Sequence, residues 1–104
     1  MEKNPYQPIK ARVEKIITET GNIKTFVFRP EEPIGFAAGQ FMQVTLPGIG
    51  ECPFTPSSDY KNTETIEFTV MKAGDVTGQM HAMKEGEYVG LRGPYGKPYP
   101  IKSF

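Results

Sequence analysis

The chain has 104 residues, 38% of them hydrophobic, and its 12 basic and 12 acidic side chains leave no formal net charge. This length and composition fit one globular domain over residues 1–104, and the absence of a basic block argues against nucleic-acid binding. With 11 glycines and 10 prolines, short strands and turns are favoured over a helical bundle, because both residues disfavour helix interiors.

The single cysteine, Cys52, cannot form an internal disulfide or supply a four-cysteine metal site. A chain with so little cysteine is typical of a reducing compartment, so we expect a cytoplasmic location. No apolar run approaches the roughly 20 residues that a membrane span needs. The polar, proline-containing N-terminus predicts no signal peptide.

The first half of the chain predicts four strands. Lys10–Thr18 and Ile23–Arg29 are rich in β-branched and aromatic residues, and the turn residues between them indicate a hairpin. A third strand follows at Gln40–Leu46, with its apolar residues Met42, Val44 and Leu46 on one face. Cys52–Ser58 carries two prolines, which predicts an edge strand or an interrupted one.

The second half predicts two strands and one helix. In Thr65–Lys72, apolar and polar residues alternate, as in a half-buried antiparallel strand. The period then changes to that of a helix over Val76–Met83, with Asp75 as its N-cap. Glu87–Arg92 is the last strand, and Gly93–Gly96 forms a tight loop. Six short antiparallel strands without a partner sheet predict an all-β, six-stranded antiparallel Greek-key barrel, capped at one end by the short helix.

No catalytic motif is present, and His81, the only histidine, has no second metal ligand nearby in the sequence. It is interpreted as a partly exposed helix residue, and Met80 as a core residue. Cys52 is either a small hydrophobic residue or a reactive thiol. The segment from Gly74 to Thr77 opens the helix, where backbone N–H groups suit a phosphate, although glycine before a helix is also ordinary turn chemistry.

Four segments together resemble a known family. They are GQFMQV, PGIGECPFTPSS, IEFTVMKAGDVT and EGEYVGLRGPYG, beginning at Gly39, Pro47, Ile66 and Glu85. In this order they resemble the FAD-binding domain of the ferredoxin–NADP reductase superfamily. The similarity is closest to the gamma subunits of sulfhydrogenases and the electron-transfer subunits of dihydroorotate dehydrogenase.

The resemblance implies a flavin site with two parts. The first is Cys52, Pro53, Phe54 and Thr55, where the Phe54 ring packs on the isoalloxazine and the Thr55 hydroxyl hydrogen-bonds near flavin N5. Cys52 stands where many members have an arginine for the pyrophosphate, and Lys72 replaces that charge in part. The residues matching the ribityl, pyrophosphate and phosphate contacts are Val70, Met71, Lys72, Gly74, Val76 and Thr77.

The implied cofactor is FAD, with FMN as an open alternative, and no metal is expected in this chain. The implied function is a flavin module that passes electrons between NAD(P)H and an iron–sulfur partner. The family's NAD(P)-binding domain normally follows this one, and no GxGxxG motif is present here. We therefore expect the partners to be that domain and an iron–sulfur protein or hydrogenase-type subunits, and the chain alone to be inactive with NADH. The alternative is a docking barrel that holds no flavin.

Overall fold

A computed structural model describes residues 7–58 and 63–96. In this part of the chain, one antiparallel sheet and one helix are formed. The elements are β1 (Ile9–Thr18), β2 (Ile23–Pro30), β3 (Phe41–Leu46), β4 (Gly50–Phe54), β5 (Ile66–Met71), α1 (Asp75–His81) and β6 (Tyr88–Tyr95).

The six strands lie in the order β4-β3-β6-β1-β2-β5, and all neighbouring pairs are antiparallel. The sheet curls until its two edge strands approach each other. Just after β4, the Ser57 N–H donates to the Glu67 carbonyl of β5 at 2.8 Å. The rings of Phe54 and Phe68 join the same two strands, with their centroids 6.1 Å apart. The predicted six-stranded antiparallel barrel with one helix is confirmed as a half-barrel closed along this line, which we call the seam.

The core fills the concave side of the sheet. Phe26 and Phe28 stack with centroids 6.1 Å apart, and Phe28 also contacts Phe68 at 5.9 Å. The alternation predicted for β3 and β5 is confirmed, because every second residue of each strand is buried. The buried apolar residues are Ala11, Val13, Phe26, Phe28, Ile34, Met42, Val44, Leu46, Ile66, Phe68, Val70, Met80, Val89 and Leu91.

Two strands differ from the prediction by more than one residue at an end. β4 begins at Gly50 and ends at Phe54, so of the two prolines only Pro53 lies in this edge strand, and Pro56 follows it. β6 continues to Tyr95, so the expected tight loop at Gly93–Gly96 is wrong for all but its last residue. The reason is pairing with β3: Tyr95 stands opposite Phe41 in the sheet, and their rings lie 5.7 Å apart.

The helix also differs at both ends. It begins with Asp75 itself after the N-cap Gly74, and no side chain caps it, so the prediction of an Asp75 cap is wrong. Thr77 instead ties the first turn, because its hydroxyl accepts from the Ala73 N–H at 2.8 Å and donates to the Gly74 carbonyl at 3.3 Å. The helix ends at His81, and Met83 continues in a tighter turn through its N–H bond to the Met80 carbonyl.

A helix of seven residues is too short to be stable by itself and depends on contacts with the sheet. Met80 is fully buried in the core, as expected. The His81 Nε2 atom forms a hydrogen bond of 2.8 Å with the Val70 carbonyl at the end of β5. Lys24 of β2 donates its ammonium to the His81 carbonyl at 3.0 Å, which satisfies a carbonyl at the helix C-terminus. His81 is therefore a helix anchor as well as a partly exposed residue.

We expect His81→Ala to lower the free energy of unfolding by about 1–3 kcal/mol, because the Val70 carbonyl loses its partner and Phe26 loses a ring contact. Urea denaturation measures this change. Gln79→Ala, at an exposed position of the same helix, is the control and should stay within about 0.5 kcal/mol of the wild type. Equal losses in the two variants would contradict the anchoring role.

An ionic cluster on the convex side connects β4 to β6 across β3. Arg92 donates from Nε to Glu51 Oε2 at 2.8 Å, and its Nη2 contacts Glu51 Oε1. Thr45 of β3 donates its hydroxyl to Glu51 Oε2 at 2.6 Å. The hydrogen bond from Arg92, followed by that from Thr45, holds the pKa of Glu51 below its usual value. The same pairing raises the pKa of Arg92.

The contribution of Glu51 to stability should therefore depend on pH. Its pKa is lower in the folded than in the unfolded chain, so the stabilisation is present above the unfolded value and is lost as the pH falls through the folded one. Glu51→Gln should destabilise the protein at about pH 7, and the difference from the wild type should shrink below about pH 4. Urea denaturation at both pH values measures this. A difference that stays constant on acidification would show that the charge of Glu51 is not what stabilises the fold.

Candidate functional site

Three segments that carry the predicted site residues lie along β4. The end of β4 faces the middle of β5 through the contact of Phe54 with Phe68. The start of α1 lies against the beginning of β4, because Val76 Cγ2 is 3.0 Å from the position that a Cβ would take at Gly50. Gly50 also has a φ of 156°, which other residues rarely adopt. The sheet closure thus brings together residues that are distant in sequence.

On β4, the predicted site residues alternate between two sides. Cys52 and Phe54 stand opposite Val44 and Met42, both of them buried, and are themselves half-buried. Pro53 faces the other way and is exposed. The Phe54 ring packs against the core through its contact with Phe68. Both an apolar surface and a thiol therefore line the inner side of the edge strand.

Thr55 is the first residue beyond the β3–β4 pairing, and it is exposed. It lines a shallow, open cleft of about 470 Å³. The other lining residues are Phe41, Gln43, Pro53 and Phe54. Phe41 and Gln43 were not predicted as site residues from the sequence. The alternation along β3 was the available signal, since it places them on the face opposite the buried Met42 and Val44.

At the end of β5, the predicted residues have different environments. Val70 is fully buried, its carbonyl is bonded to His81 and it is paired with Lys24 of β2, so the structure places it in the core. Met71 is 55% exposed. Lys72 is also exposed, and its ε-carbon lies 4.0 Å from the position a Cβ would take at Gly78. The Lys72 side chain thus lies against α1 near Gly78.

The start of α1 is open on one side and packed on the other. A side chain at Gly74 would meet no atom within 4 Å. Val76 is half-buried and packs on the core, and the buried Thr77 directs its hydroxyl to the backbone of the first turn. The Thr77 hydroxyl already donates its proton to the Gly74 carbonyl and has none left for a ligand. The first N–H groups of a helix, in contrast, have no partner within the helix.

Within residues 7–58 and 63–96, no three His, Cys, Asp or Glu side chains cluster as a metal site would require. In the same ranges, no helix has the length and apolar character needed to cross a membrane.

Solved structures share this fold. The cytochrome b5 reductase domain of Ulva prolifera nitrate reductase superposes with a TM-score of 0.80 at 17% identity, over 89% of this chain and 43% of that one. Phthalate dioxygenase reductase, described as a modular structure for electron transfer from pyridine nucleotides to [2Fe-2S], gives a TM-score of 0.79 at 16% identity. That match covers 91% of this chain and 32% of the reductase. At these identities, the likeness is one of fold.

Curated relatives are closer in sequence. Sulfhydrogenase 1 subunit gamma of Pyrococcus furiosus is 39% identical over 94% of this chain and 35% of its own length. A probable dihydroorotate dehydrogenase B (NAD(+)) electron transfer subunit of Methanocaldococcus jannaschii is 42% identical over 86% of this chain and 32% of its own length. The chain thus spans about a third of these relatives. The profile of the oxidoreductase FAD-binding domain matches residues 10–99, and the chain belongs to that family, with the barrel of the ferredoxin–NADP reductase type.

Proposed function

We propose that this domain binds FAD along the seam and serves as the flavin module of an electron-transfer oxidoreductase. The observation that carries the proposal is the arrangement of β5 and the start of α1 along one strand: the end of β4 contacts β5 and the beginning of β4 contacts α1. These are the segments that a flavin with a pyrophosphate needs together: an apolar surface for the ring and hydrogen-bond donors for the phosphates. Bound FAD would supply the redox chemistry, and the protein would bind and orient it.

At the ring end, Phe54 offers an apolar face beside the exposed hydroxyl of Thr55. An aromatic contact contributes about 0.5–1.5 kcal/mol beyond the area it buries. The Thr55 hydroxyl can donate one hydrogen bond to a ring nitrogen, which contributes about 0.5–1.5 kcal/mol net. These two residues would hold the isoalloxazine against the edge of the half-barrel, with Cys52 and Pro53 shaping the strand between ring and phosphate.

At the phosphate end, the open space beside Gly74 lets an anion approach the first turn of α1. The backbone N–H groups of Val76 and Thr77 are the donors there, and Lys72 adds a positive charge from the end of β5. The Thr77 side chain keeps this turn in shape through its bonds to Ala73 and Gly74. The role of Thr77 would thus be to position the donors, and the exposed Met71 would line the path of the ribityl chain.

The wider reaction is proposed from the relatives. One relative is named an electron transfer subunit and another a gamma subunit, and each is about three times as long as the part matched here. We propose that an NAD(P)-binding domain and an iron–sulfur or hydrogenase-type partner complete the pathway. Electrons would then pass between NAD(P)H and the iron–sulfur centre by way of the flavin held in this domain, in a cytoplasmic complex. FAD is preferred to FMN because the matched family is defined by FAD.

A flavin titration tests the proposal, with fluorescence quenching of FAD and of FMN as the readout. Gly74→Val should weaken FAD binding at least about tenfold, because its side chain would occupy the open space where the phosphates approach. Gly35→Val is the matched control, since Gly35 also has no atom within 4 Å of its Cβ position but lies in the loop between β2 and β3. If the wild type quenches neither flavin, the chain is a docking barrel and the proposed function is wrong.

Restoring the arginine typical of the family gives a second prediction. A charge-assisted contact with the pyrophosphate contributes roughly 1.5–3 kcal/mol, so Cys52→Arg should tighten FAD binding about 10- to 150-fold. Cys52→Ser controls for loss of the thiol and should leave the affinity unchanged. If the wild type already binds below about 0.1 μM and Cys52→Arg changes nothing, other residues hold the pyrophosphate.

A further inference from the structure

Thr55 lies in a short span between two strands of the sheet. Pairing with β3 ends where Phe54 stands opposite Met42. The chain is next fixed to β5 at Ser57, whose N–H donates to the Glu67 carbonyl at 2.8 Å. Between these two points stand Thr55 and Pro56, and Pro56 has no N–H to donate. The position of the Thr55 hydroxyl therefore depends on how firmly Ser57 is held.

Three hydroxyl groups form a row on the convex side that ends at Ser57. Thr25 Oγ1 lies 3.0 Å from Thr69 Oγ1, and Thr69 donates to Ser57 Oγ at 3.3 Å. Because a hydroxyl has one proton to donate, Thr25 is the donor in its bond with Thr69. The hydroxyl row thus runs from Thr25, which is 6% exposed, to the exposed Ser57.

The row connects the span to the interior of the sheet. Thr25 and Thr69 are direct cross-strand partners in β2 and β5, a pairing in which threonine side chains stabilise one another. Ser58 adds a further bond, accepting from the Glu67 N–H at 3.1 Å. The hydroxyl row thereby connects the segment after the edge strand β4 to β2, which is paired on both sides.

We propose that the hydroxyl row is a positioning device for flavin binding, in which Thr69 holds Ser57 and Ser57 sets the place of Thr55 and Phe54. This inference rests on the proposed function. Its chemical basis is that Thr55 must point its hydroxyl at one ring atom, and a hydrogen bond weakens steeply when its geometry is lost. Ser57 and Thr69 are positioning residues here, with no contact of their own with the cofactor.

The experiment is a double-mutant cycle read out by FAD affinity. Ser57→Ala removes the end of the row at an exposed position, so water can replace the lost bond and the urea midpoint should change little. The combined variant Thr25→Val/Thr69→Val removes the first two hydroxyl groups of the row. Valine has the same shape as threonine, and replacing both partners leaves no buried hydroxyl unpaired. We expect each to weaken FAD binding about three- to tenfold. Ser57→Thr, which keeps a hydroxyl, should restore most of the affinity.

Whether the effects of Ser57→Ala and of Thr25→Val/Thr69→Val on FAD affinity are additive decides between an indirect and a direct role of Ser57. If Ser57 acts through the row, the triple variant binds FAD no more weakly than either parent, because the row is already broken. Effects that multiply would overturn the proposal, since Ser57 would then contact the cofactor directly. Unchanged affinity in Ser57→Ala, or a loss matched by the control Thr18→Val at the exposed end of β1, would also overturn it. Failure of the wild type to bind FAD is a separate outcome and refutes the proposed function as well.

Discussion

The contacts of the Phe68 ring with Phe28 on one side and Phe54 on the other determine the shape of this domain. A twisted sheet of six strands has two edges, and each exposes backbone groups unless the sheet curls and brings them together. Phe68 makes that closure favourable because it gives the half-buried Phe54 an apolar partner. The ring contact and the hydrogen bond from the Ser57 N–H to the Glu67 carbonyl together join the two edges at the seam.

The helix depends on the same closure. It is bound at one end by the packing of Val76 against Gly50 and at the other by His81 and Lys24. The first contact uses β4, and the others use β5 and β2. A helix this short gains its stability from tertiary packing, so its orientation follows that of the closed sheet. The proposed phosphate donors are thereby placed beside the strand that carries the proposed ring contacts.

The sequence allowed the strands and their buried faces to be predicted, because alternation records burial directly. It did not allow the end of β6 to be placed, since glycine and proline in residues 93–96 indicate a turn, whereas pairing with Phe41 keeps the segment extended. The prediction of an Asp75 cap was wrong because the helix begins one residue earlier, at Asp75 itself, and no side chain caps it. The contact of Ser57 with Thr69 was not predictable, because it exists only after the two edges of the sheet have met.

Pro53 has a consequence for association between molecules. It stands in the edge strand β4, opposite Gln43, and in such strands proline takes positions where an N–H would otherwise face solvent. A second extended chain that paired with the free side of β4 would need the backbone N–H groups of this strand, and Pro53 has none to donate. Pro53 therefore protects this edge of the sheet from the strand-to-strand pairing that begins aggregation.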